Sequence, residues 1–265
     1  MNLRERVDRF FIAQFEGLSL DQADEMDILE ANGSVNFGSN KAYRAMLKKI
    51  KAGSPATNPD DLQYILDNVD VDNLFEYMAL EMFVGNSDIG NIRYYRLHQE
   101  GSKWKWIWYD ADYGLYSSKF NSPWSYLKVK GMGEQKIDNT IFLKLLEHPD
   151  YKRKFLEKLA DVYKTFTTEY MTQVLDGVLA EIQPEMKNHW ERWGELNDKA
   201  VTSEVPTTID GAYTYWESRV NRLYNTLKVR PHRLWDFIKD EFKLTKTEME
   251  ELFGPQPDYP DDAVL

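Results

Sequence analysis

The sequence contains no cysteine and only four histidines. The lack of cysteine excludes a disulfide framework and any metal site built on thiolates. No histidine has an acidic, serine or cysteine partner at catalytic spacing, so all four are expected to be structural or exposed: His98, His148, His189 and His232. Neither a Ser-His-Asp set, a nucleophile elbow nor a zinc pair can be found along the chain.

Long apolar runs, an excess of basic charge and glycine-rich phosphate loops are also missing. The net charge of -11 and the pI near 5.0 disfavour binding to the polyanionic backbone of DNA or RNA. No apolar run is long enough to cross a bilayer. Neither a G-x-G-x-x-G loop nor a P-loop occurs. We therefore predict no nucleic-acid partner and no membrane span.

The chain does have enough apolar residues for a large core, since 42% of its 265 residues are hydrophobic. Apolar residues at helical spacing predict a mainly α fold with one short β-hairpin. Residues 17–38 are expected to be irregular, and a helix over residues 211–230 is expected to end where Pro231 opens the next one. We expect residues 1–254 to form one helical domain and residues 255–265 to be a loosely held tail.

The most informative stretch is residues 71–114. It begins with a predicted helix that Asp72 would cap and Gly85 would end. Two aromatic-rich segments follow, at residues 92–98 and 103–109, and a four-residue turn containing glycine separates them. This pattern predicts a β-hairpin.

The predicted hairpin brings two polar loops together. Asp88 and Asn91 lie just before its first strand, and Asp110 and Asp112 lie just after its second strand. Neighbouring carboxylates either raise a pKa or bind a cation, and oxygen ligands suit Mg²⁺ or Ca²⁺ better than zinc. Each aspartate taken alone is better explained as a turn residue facing water. The prediction of a metal site depends on the arrangement as a whole.

Three motifs follow one another in this stretch: Gly85-Asn86-Ser87-Asp88, NIRYYR at residues 91–96, and WIWYDADYG at residues 106–114. In this order they resemble the signature of the CotH (spore-coat protein H) kinases, a bacterial and fungal branch of the protein-kinase-like fold. Residues 2–8 resemble the segment where family members leave the small lobe, and residues 216–234 resemble the C-terminal helices. The resemblance covers nearly the whole chain. It implies a kinase-like large lobe that lacks the N-terminal small lobe.

The resemblance also implies a role for each residue of the two loops. Asp88 matches the catalytic aspartate, which orients or deprotonates an attacking hydroxyl group. Asn91 and Asp110 match the residues that hold Mg²⁺ against the phosphates of ATP. Asp112 is a candidate second metal ligand, because the sequence Asp112-Tyr113-Gly114 resembles the DFG motif of ordinary kinases more closely than the sequence at Asp110 does. The loop between Asp88 and Asn91 is shorter than in many family members.

The implied activity is transfer of the ATP γ-phosphoryl group to serine or threonine of a protein. An acidic lobe suits a basic, serine-rich substrate, and the family implies an extracellular setting at a spore or cell surface. Residues 115–135 would form the activation segment, where a peptide substrate would lie. The candidate substrate contacts are Trp124, Tyr126, Lys128, Lys130 and Lys136. An ordered surface loop held by its aromatic residues explains these side chains at least as well.

Two other functions remain open from the sequence. Without a small lobe, the chain could be a non-catalytic pseudokinase lobe that acts as a surface or spore-coat interaction module. The paired carboxylates and the abundance of tryptophan and tyrosine also fit a carbohydrate-active protein, because glycosidases use two acids. That third function requires an aromatic-lined groove at the carboxylates.

Overall fold

Helices make up most of the structure, and one small antiparallel sheet accompanies them. A computed structural model describes residues 6–86, 88, 90–116, 137–197 and 208–261. The chain divides into two compact units, Met1–Gly114 with Phe120–Val162, and Leu115–Lys119 with Tyr163–Leu265. In the described ranges, no helix combines the length and the apolar character needed to cross a bilayer.

The described helices follow one another along the chain. They are α1 (Arg9–Phe15), α2 (Lys41–Ala52), α3 (Pro59–Asn68), α4 (Val71–Val84), α5 (Thr140–Leu146), α6 (Pro149–Thr165), α7 (Thr168–Ile182), α8 (Met186–Asn197), α9 (Ile209–Phe242) and α10 (Lys246–Phe253). Short 3-10 turns occur at Leu20–Gln22 and Gln183–Glu185.

The sheet lies in the first unit and has four strands in the order β2-β1-β3-β4. They are β1 (Met26–Glu30), β2 (Ser34–Phe37), β3 (Arg93–Leu97) and β4 (Lys105–Ile107). The predicted hairpin is confirmed, because β3 and β4 pair antiparallel with Tyr94 opposite Trp106. The opposite edge of β3 pairs antiparallel with β1, with Ile28 opposite Tyr95.

The prediction that residues 17–38 are irregular was wrong, because this segment supplies β1 and β2. Four consecutive residues of β1 are buried, so the strand lacks the alternation that marks a half-exposed strand. One of the four is Asp27, which is 4% exposed. Its carboxylate accepts a hydrogen bond from the Ser39 backbone N–H at 2.7 Å and lies 3.1 Å from His98 Nε2. A buried acid in a strand makes the segment look polar in sequence.

Helix α4 is buried on most sides and connects the core to the sheet. Phe75 makes edge-on ring contacts with Phe142 and Phe155, at centroid distances of 6.1 and 5.4 Å. The Asn73 amide donates to the Trp106 carbonyl at 3.1 Å and accepts from the Trp106 N–H at 2.6 Å. These two bonds fix β4 against the first turn of α4, and thereby fix the direction in which the chain leaves the hairpin.

The two ends of α4 test the predicted caps. Gly85 ends the helix in the left-handed conformation, with φ 64°, as predicted. The predicted cap at Asp72 was wrong, because Asp70 accepts the Asn73 N–H at 3.1 Å. Asp72 lies inside the first turn, where its carboxylate pairs with Lys154 at 2.8 Å.

The second unit is built around α9, which is one continuous helix. The predicted break at Pro231 was wrong, since Pro231 lies inside Ile209–Phe242. Proline has no N–H to donate to the carbonyl four residues earlier, which belongs to Leu227. The Thr168 hydroxyl donates to that carbonyl at 3.1 Å instead. The helix continues because another side chain satisfies the acceptor.

The C-terminal end of the second unit is held by caps and side-chain contacts. The predicted capping box of α10 is confirmed between Thr245 and Glu248. In the described part of residues 255–265, the Gln256 amide donates to Asp236 at 2.8 Å, and the Pro257 carbonyl lies 2.7 Å from His232 Nδ1. These contacts join the start of the predicted tail to α9.

Candidate functional site

The loop after α4 is fixed by hydrogen bonds that begin at the last turn of the helix. The Glu81 carbonyl accepts from the backbone N–H of Gly85 at 3.0 Å and of Asn86 at 3.3 Å. Asn86 is only 2% exposed, and its side-chain carbonyl accepts the Asp88 N–H at 3.0 Å. A buried amide therefore sets the backbone orientation of Asp88.

Asn91 connects the two loops that the hairpin was predicted to bring together. Its Nδ2 donates to Asp88 Oδ2 at 3.0 Å and to Asp110 Oδ2 at 2.9 Å. Asp88 is half-buried, whereas Asn91 and Asp110 are exposed. The predicted meeting of these three side chains is observed.

The backbone of Asp110 is unusual for a residue that is not glycine. Its φ of 55° lies in the left-handed region. Aspartate tolerates this region better than most residues, because its short polar side chain can hydrogen-bond locally. In this conformation the Asp110 carboxylate accepts the hydrogen bond from Asn91.

Asp112 lies in the turn after Asp110, and its side chain is exposed. The Gly114 N–H donates to the Ala111 carbonyl at 2.8 Å, and a Cβ atom added to Gly114 would lie 3.0 Å from Val84 Cβ. The same Cβ atom would lie 2.8 Å from the Ala111 carbonyl oxygen, so the tight turn and its approach to α4 both disfavour a larger residue than glycine. In the residues described, no three acidic or histidine side chains are grouped so that they could hold a metal ion. The observed group consists of two carboxylates and one amide.

Glu81 is a residue of this site that the sequence did not reveal. Its side chain is 2% exposed. Burial raises the pKa of the carboxyl to about 7, and nearby Asp88 adds to the rise, while hydrogen bonds from the side chains of Asn86 and Trp108 act against it. The signal in the sequence was one acidic residue between the apolar pairs Ala79-Leu80 and Met82-Phe83, which is equally typical of an exposed helix position.

Arg93 and Tyr109 border the site on the hairpin. The Arg93 guanidinium lies 5.0 Å from the centre of the Tyr109 ring and 3.2 Å from Glu30. Burial raises the pKa of Tyr109 despite this cation, and the carboxylates of Glu30, Asp110 and Asp88 raise it further. The phenol is therefore neutral at physiological pH and can donate a hydrogen bond.

A cavity of about 410 Å³ lies in the first unit, between α1 and the β3–β4 hairpin. Its lining residues are mostly aromatic or aliphatic: Phe11, Ile12, Phe15, Asp70, Asn73, Tyr95, Lys105, Trp106, Ile107 and Trp108. The acidic residue of this lining is Asp70, which caps α4. The aromatic surface that a carbohydrate site requires is therefore present, but it is not lined by Asp88 or Asp110.

The candidate substrate contacts all lie outside the described residues: Trp124, Tyr126, Lys128, Lys130 and Lys136. Their role stays a prediction.

A model of the CotH kinase protein family matches residues 12–234. The match spans most of the chain, and the chain therefore belongs to the CotH kinase protein family. No curated protein and no solved structure matches the chain.

A kinase family implies ATP and Mg²⁺, and the donor chemistry of the site fits this ion. Asp110 and Asn91 offer a carboxylate and an amide oxygen, which are the ligand types that Mg²⁺ takes in proteins. The Asn91 oxygen is not used in the two hydrogen bonds of its Nδ2. Mg²⁺ keeps several of its waters when one or two carboxylates bind it, so it does not require three acidic side chains.

Proposed function

We propose that this chain carries the catalytic residues of a CotH-type serine/threonine protein kinase. The reaction would transfer the γ-phosphoryl group of ATP to a hydroxyl group of a protein substrate. The observation that supports it most is the pair of hydrogen bonds from Asn91 to Asp88 and Asp110, because one amide then links the proposed base and the proposed metal ligand. In this proposal residues 1–254 form the helical large lobe of a kinase-like fold.

Asp88 is the proposed catalytic base. Its Oδ2 accepts from Asn91, so its Oδ1 is the atom that would orient the substrate hydroxyl and take its proton. The hydroxyl oxygen forms the new bond to the γ-phosphorus as the bond to the ADP oxygen breaks. The buried Asn86 amide contributes by holding the Asp88 backbone N–H.

Asn91 and Asp110 are the proposed magnesium ligands, and Asp112 is a proposed second carboxylate ligand. When bound, Mg²⁺ would neutralise charge on the phosphate oxygens of ATP and keep them in place. The hydrogen bond from Asn91 holds the Asp110 carboxylate 2.9 Å from the amide and thereby keeps the two ligands together. This prior positioning lowers the cost of assembling the site.

The proposed substrate is a basic, serine-rich protein segment at a spore or cell surface. The chain carries 44 acidic and 33 basic residues, which attracts a positively charged partner at low ionic strength. The family resemblance supports the spore or cell surface as the setting. The excess of acidic residues supports a basic substrate.

Calorimetric titration of the purified chain with ATP, with and without Mg²⁺, tests the metal ligands. We expect Mg²⁺-dependent binding that Asp110→Ala weakens at least about tenfold, because a charged ligand is lost. Asp72→Ala is the matched control, since Asp72 is an exposed acid that pairs with Lys154. Asp112→Ala decides whether the second carboxylate contributes. Binding that needs no Mg²⁺, or that Asp110→Ala leaves unchanged, would contradict the proposed ligands.

Phosphotransfer to a basic, serine-rich peptide tests the proposed base. Asp88→Asn should keep Mg²⁺-dependent ATP binding while the transfer rate falls by about 10²–10⁴-fold, the usual contribution of a general base. If the wild-type chain binds no ATP at all, the interaction-module alternative is favoured instead.

A further inference from the structure

We propose that the cavity between α1 and the β3–β4 hairpin binds a small organic cation, an ammonium group attached to an aromatic or aliphatic body. The cavity lies in the first unit, and its volume of about 410 Å³ is in the usual range for a small-molecule site. It is not lined by Asp88, Asn91, Asp110 or Asp112. The proposal therefore goes beyond the proposed function and can be tested without any kinase activity.

Aromatic rings form much of the cavity wall, and two of them are exposed. Phe11 and Phe15 come from α1, Trp106 comes from β4, and Trp108 follows β4. Phe15 is 74% exposed and Trp108 is 42% exposed, so a ligand in the cavity would remove apolar surface from water. The face of an aromatic ring is negative and attracts a cation. A wall of this kind therefore favours an ammonium group over an anion.

The charges at the cavity also favour a cation. Lys105 is the basic residue of the lining, and its ammonium group lies 2.7 Å from Glu16 Oε1, which offsets its charge. The Tyr95 hydroxyl donates to the same oxygen. Asp70 is the acidic residue of the lining, and no basic side chain among the described residues pairs with it. One carboxylate of the lining thus has no cationic partner within the described part of the chain.

One oxygen of Asp70 is left for a ligand. Its Oδ1 accepts the Asn73 N–H at 3.1 Å and caps α4. Its Oδ2 makes no hydrogen bond to a described residue and can accept one from an ammonium group, a bond strengthened by the two charges. The N-terminus of α4 attracts the same carboxylate and offsets part of its charge. We therefore expect a moderate preference for cations.

The strand edge beside the cavity is closed to an added β-strand. The Asn73 side chain accepts the Trp106 N–H at 2.6 Å and donates to the Trp106 carbonyl at 3.1 Å. Both backbone groups that Trp106 could offer to an extended peptide are therefore in use. This favours a compact ligand that enters the cavity over a peptide that pairs with the sheet.

Three indole compounds of different charge test the proposal: the cation tryptamine, the neutral tryptophol and the anion indolepropionate. Each is titrated into the ¹⁵N-tryptophan-labelled chain, and the Trp108 indole N–H signal, assigned by its loss in Trp108→Phe, is followed. The Trp193 signal, assigned in the same way, is the control, because Trp193 is exposed on α8 and does not line the cavity. We expect tryptamine to shift the Trp108 signal alone of these two. It should bind about tenfold more tightly than the other two compounds.

Asp70→Asn tests the carboxylate without removing the helix cap, because asparagine and aspartate are equally good caps. We expect it to lower the affinity for tryptamine to that for tryptophol, and to change tryptophol binding by less than about twofold, since a neutral ligand forms no ion pair. Asp72→Asn is the matched control. Asp72 belongs to the same helix, pairs with Lys154 and does not line the cavity, so this variant should bind tryptamine as the wild type does.

Phe15→Ala tests the aromatic wall at a position where truncation exposes little new core. It should weaken tryptamine and tryptophol by about threefold or more, because both bury an indole ring against the wall. Phe10→Ala is the matched control, since Phe10 is an exposed ring of the same helix that does not line the cavity. Circular dichroism checks that each variant is folded.

The proposal would be overturned if tryptamine did not shift the Trp108 signal, or if the three compounds bound equally well. Tryptamine binding that neither Asp70→Asn nor Phe15→Ala weakens would overturn it too, because the compound would then bind elsewhere. Saturating ATP with Mg²⁺ should not displace tryptamine, and displacement would assign the cation to the proposed nucleotide site instead. If the chain binds no ATP, the proposed function fails, and the three compounds still decide whether the cavity binds a cation.

Discussion

Glu81 couples the stability of the fold to pH. Burial raises the pKa of its carboxyl from 4.5 to about 7 in the folded chain. Between these two values the folded state binds a proton that the unfolded state has released. The free energy of unfolding therefore falls as pH rises from about 4.5 to 7, and it does not recover above 7. The difference in pKa corresponds to about 3 kcal/mol.

Glu81→Gln should remove this dependence, because the amide does not titrate. We expect the wild-type chain to lose about 3 kcal/mol relative to Glu81→Gln between pH 4.5 and pH 8, measured by urea unfolding at both values. Glu76→Gln, which changes an exposed acid on the same helix, should behave like the wild type. Parallel stability profiles for the wild type and Glu81→Gln would show that Glu81 is ionised in both states.

At the scale of single residues, sequence could predict the side chains whose proximity follows from backbone topology. The meeting of Asp88, Asn91 and Asp110 follows from the ends of one hairpin, which is a local structure. Glu81 and Asn86 could not be found in the same way. Whether a polar residue on a helix is buried depends on which distant elements cover it, and the sequence around Glu81 does not show that.

At the scale of secondary structure, α9 shows how a tertiary contact can override a local rule. Pro231 leaves the Leu227 carbonyl without its helical donor, and the Thr168 hydroxyl donates at 3.1 Å in its place. Thr168→Val keeps the shape of the side chain and removes this donor. We expect it to lower the free energy of unfolding by about 1 kcal/mol, the usual net value of an intramolecular hydrogen bond.

The same substitution should cost much less in a Pro231→Ala background, because alanine at this position would supply the backbone N–H that proline lacks. The measurement is a double-mutant cycle by urea unfolding, with Thr172→Val on the same helix as the control for the change of residue type. Equal losses with and without Pro231 would show that the Thr168 hydroxyl does not act through the Leu227 carbonyl.

The elements that sequence predicted correctly are those defined by neighbours in the chain. Gly85 ends α4 and the Thr245–Glu248 box starts α10, because both signals act within one turn. Strand β1 was missed because four of its residues in a row are buried, and β2 was missed because most of its residues are exposed, so neither strand shows the alternation of a half-buried strand. The cap of α4 was assigned to Asp72 instead of Asp70 because both residues are aspartate and only the backbone geometry distinguishes them.

At the scale of the whole molecule, charge has a predictable effect on stability. The formal net charge is -11 at pH 7. Many of the described ion pairs join exposed side chains, such as Arg153–Glu157 and Lys246–Glu250, and pairs of this kind contribute about 0–1 kcal/mol each. We therefore expect repulsion among the excess carboxylates to outweigh what these pairs contribute.

Added salt should consequently stabilise the fold at pH 7. Raising KCl from about 0.05 to about 0.5 M shortens the Debye length to a few ångströms and screens the net repulsion more than it weakens close pairs. We expect the urea midpoint to rise with KCl at pH 7 and to stay constant or fall at pH 5.0, where the net charge is close to zero. Because the low-salt and high-salt midpoints are compared at the same pH, the change of stability that comes from the titration of Glu81 cancels. A midpoint that falls with salt at pH 7 would mean that specific ion pairs, among them the partly buried Lys105–Glu16 pair, dominate over net charge.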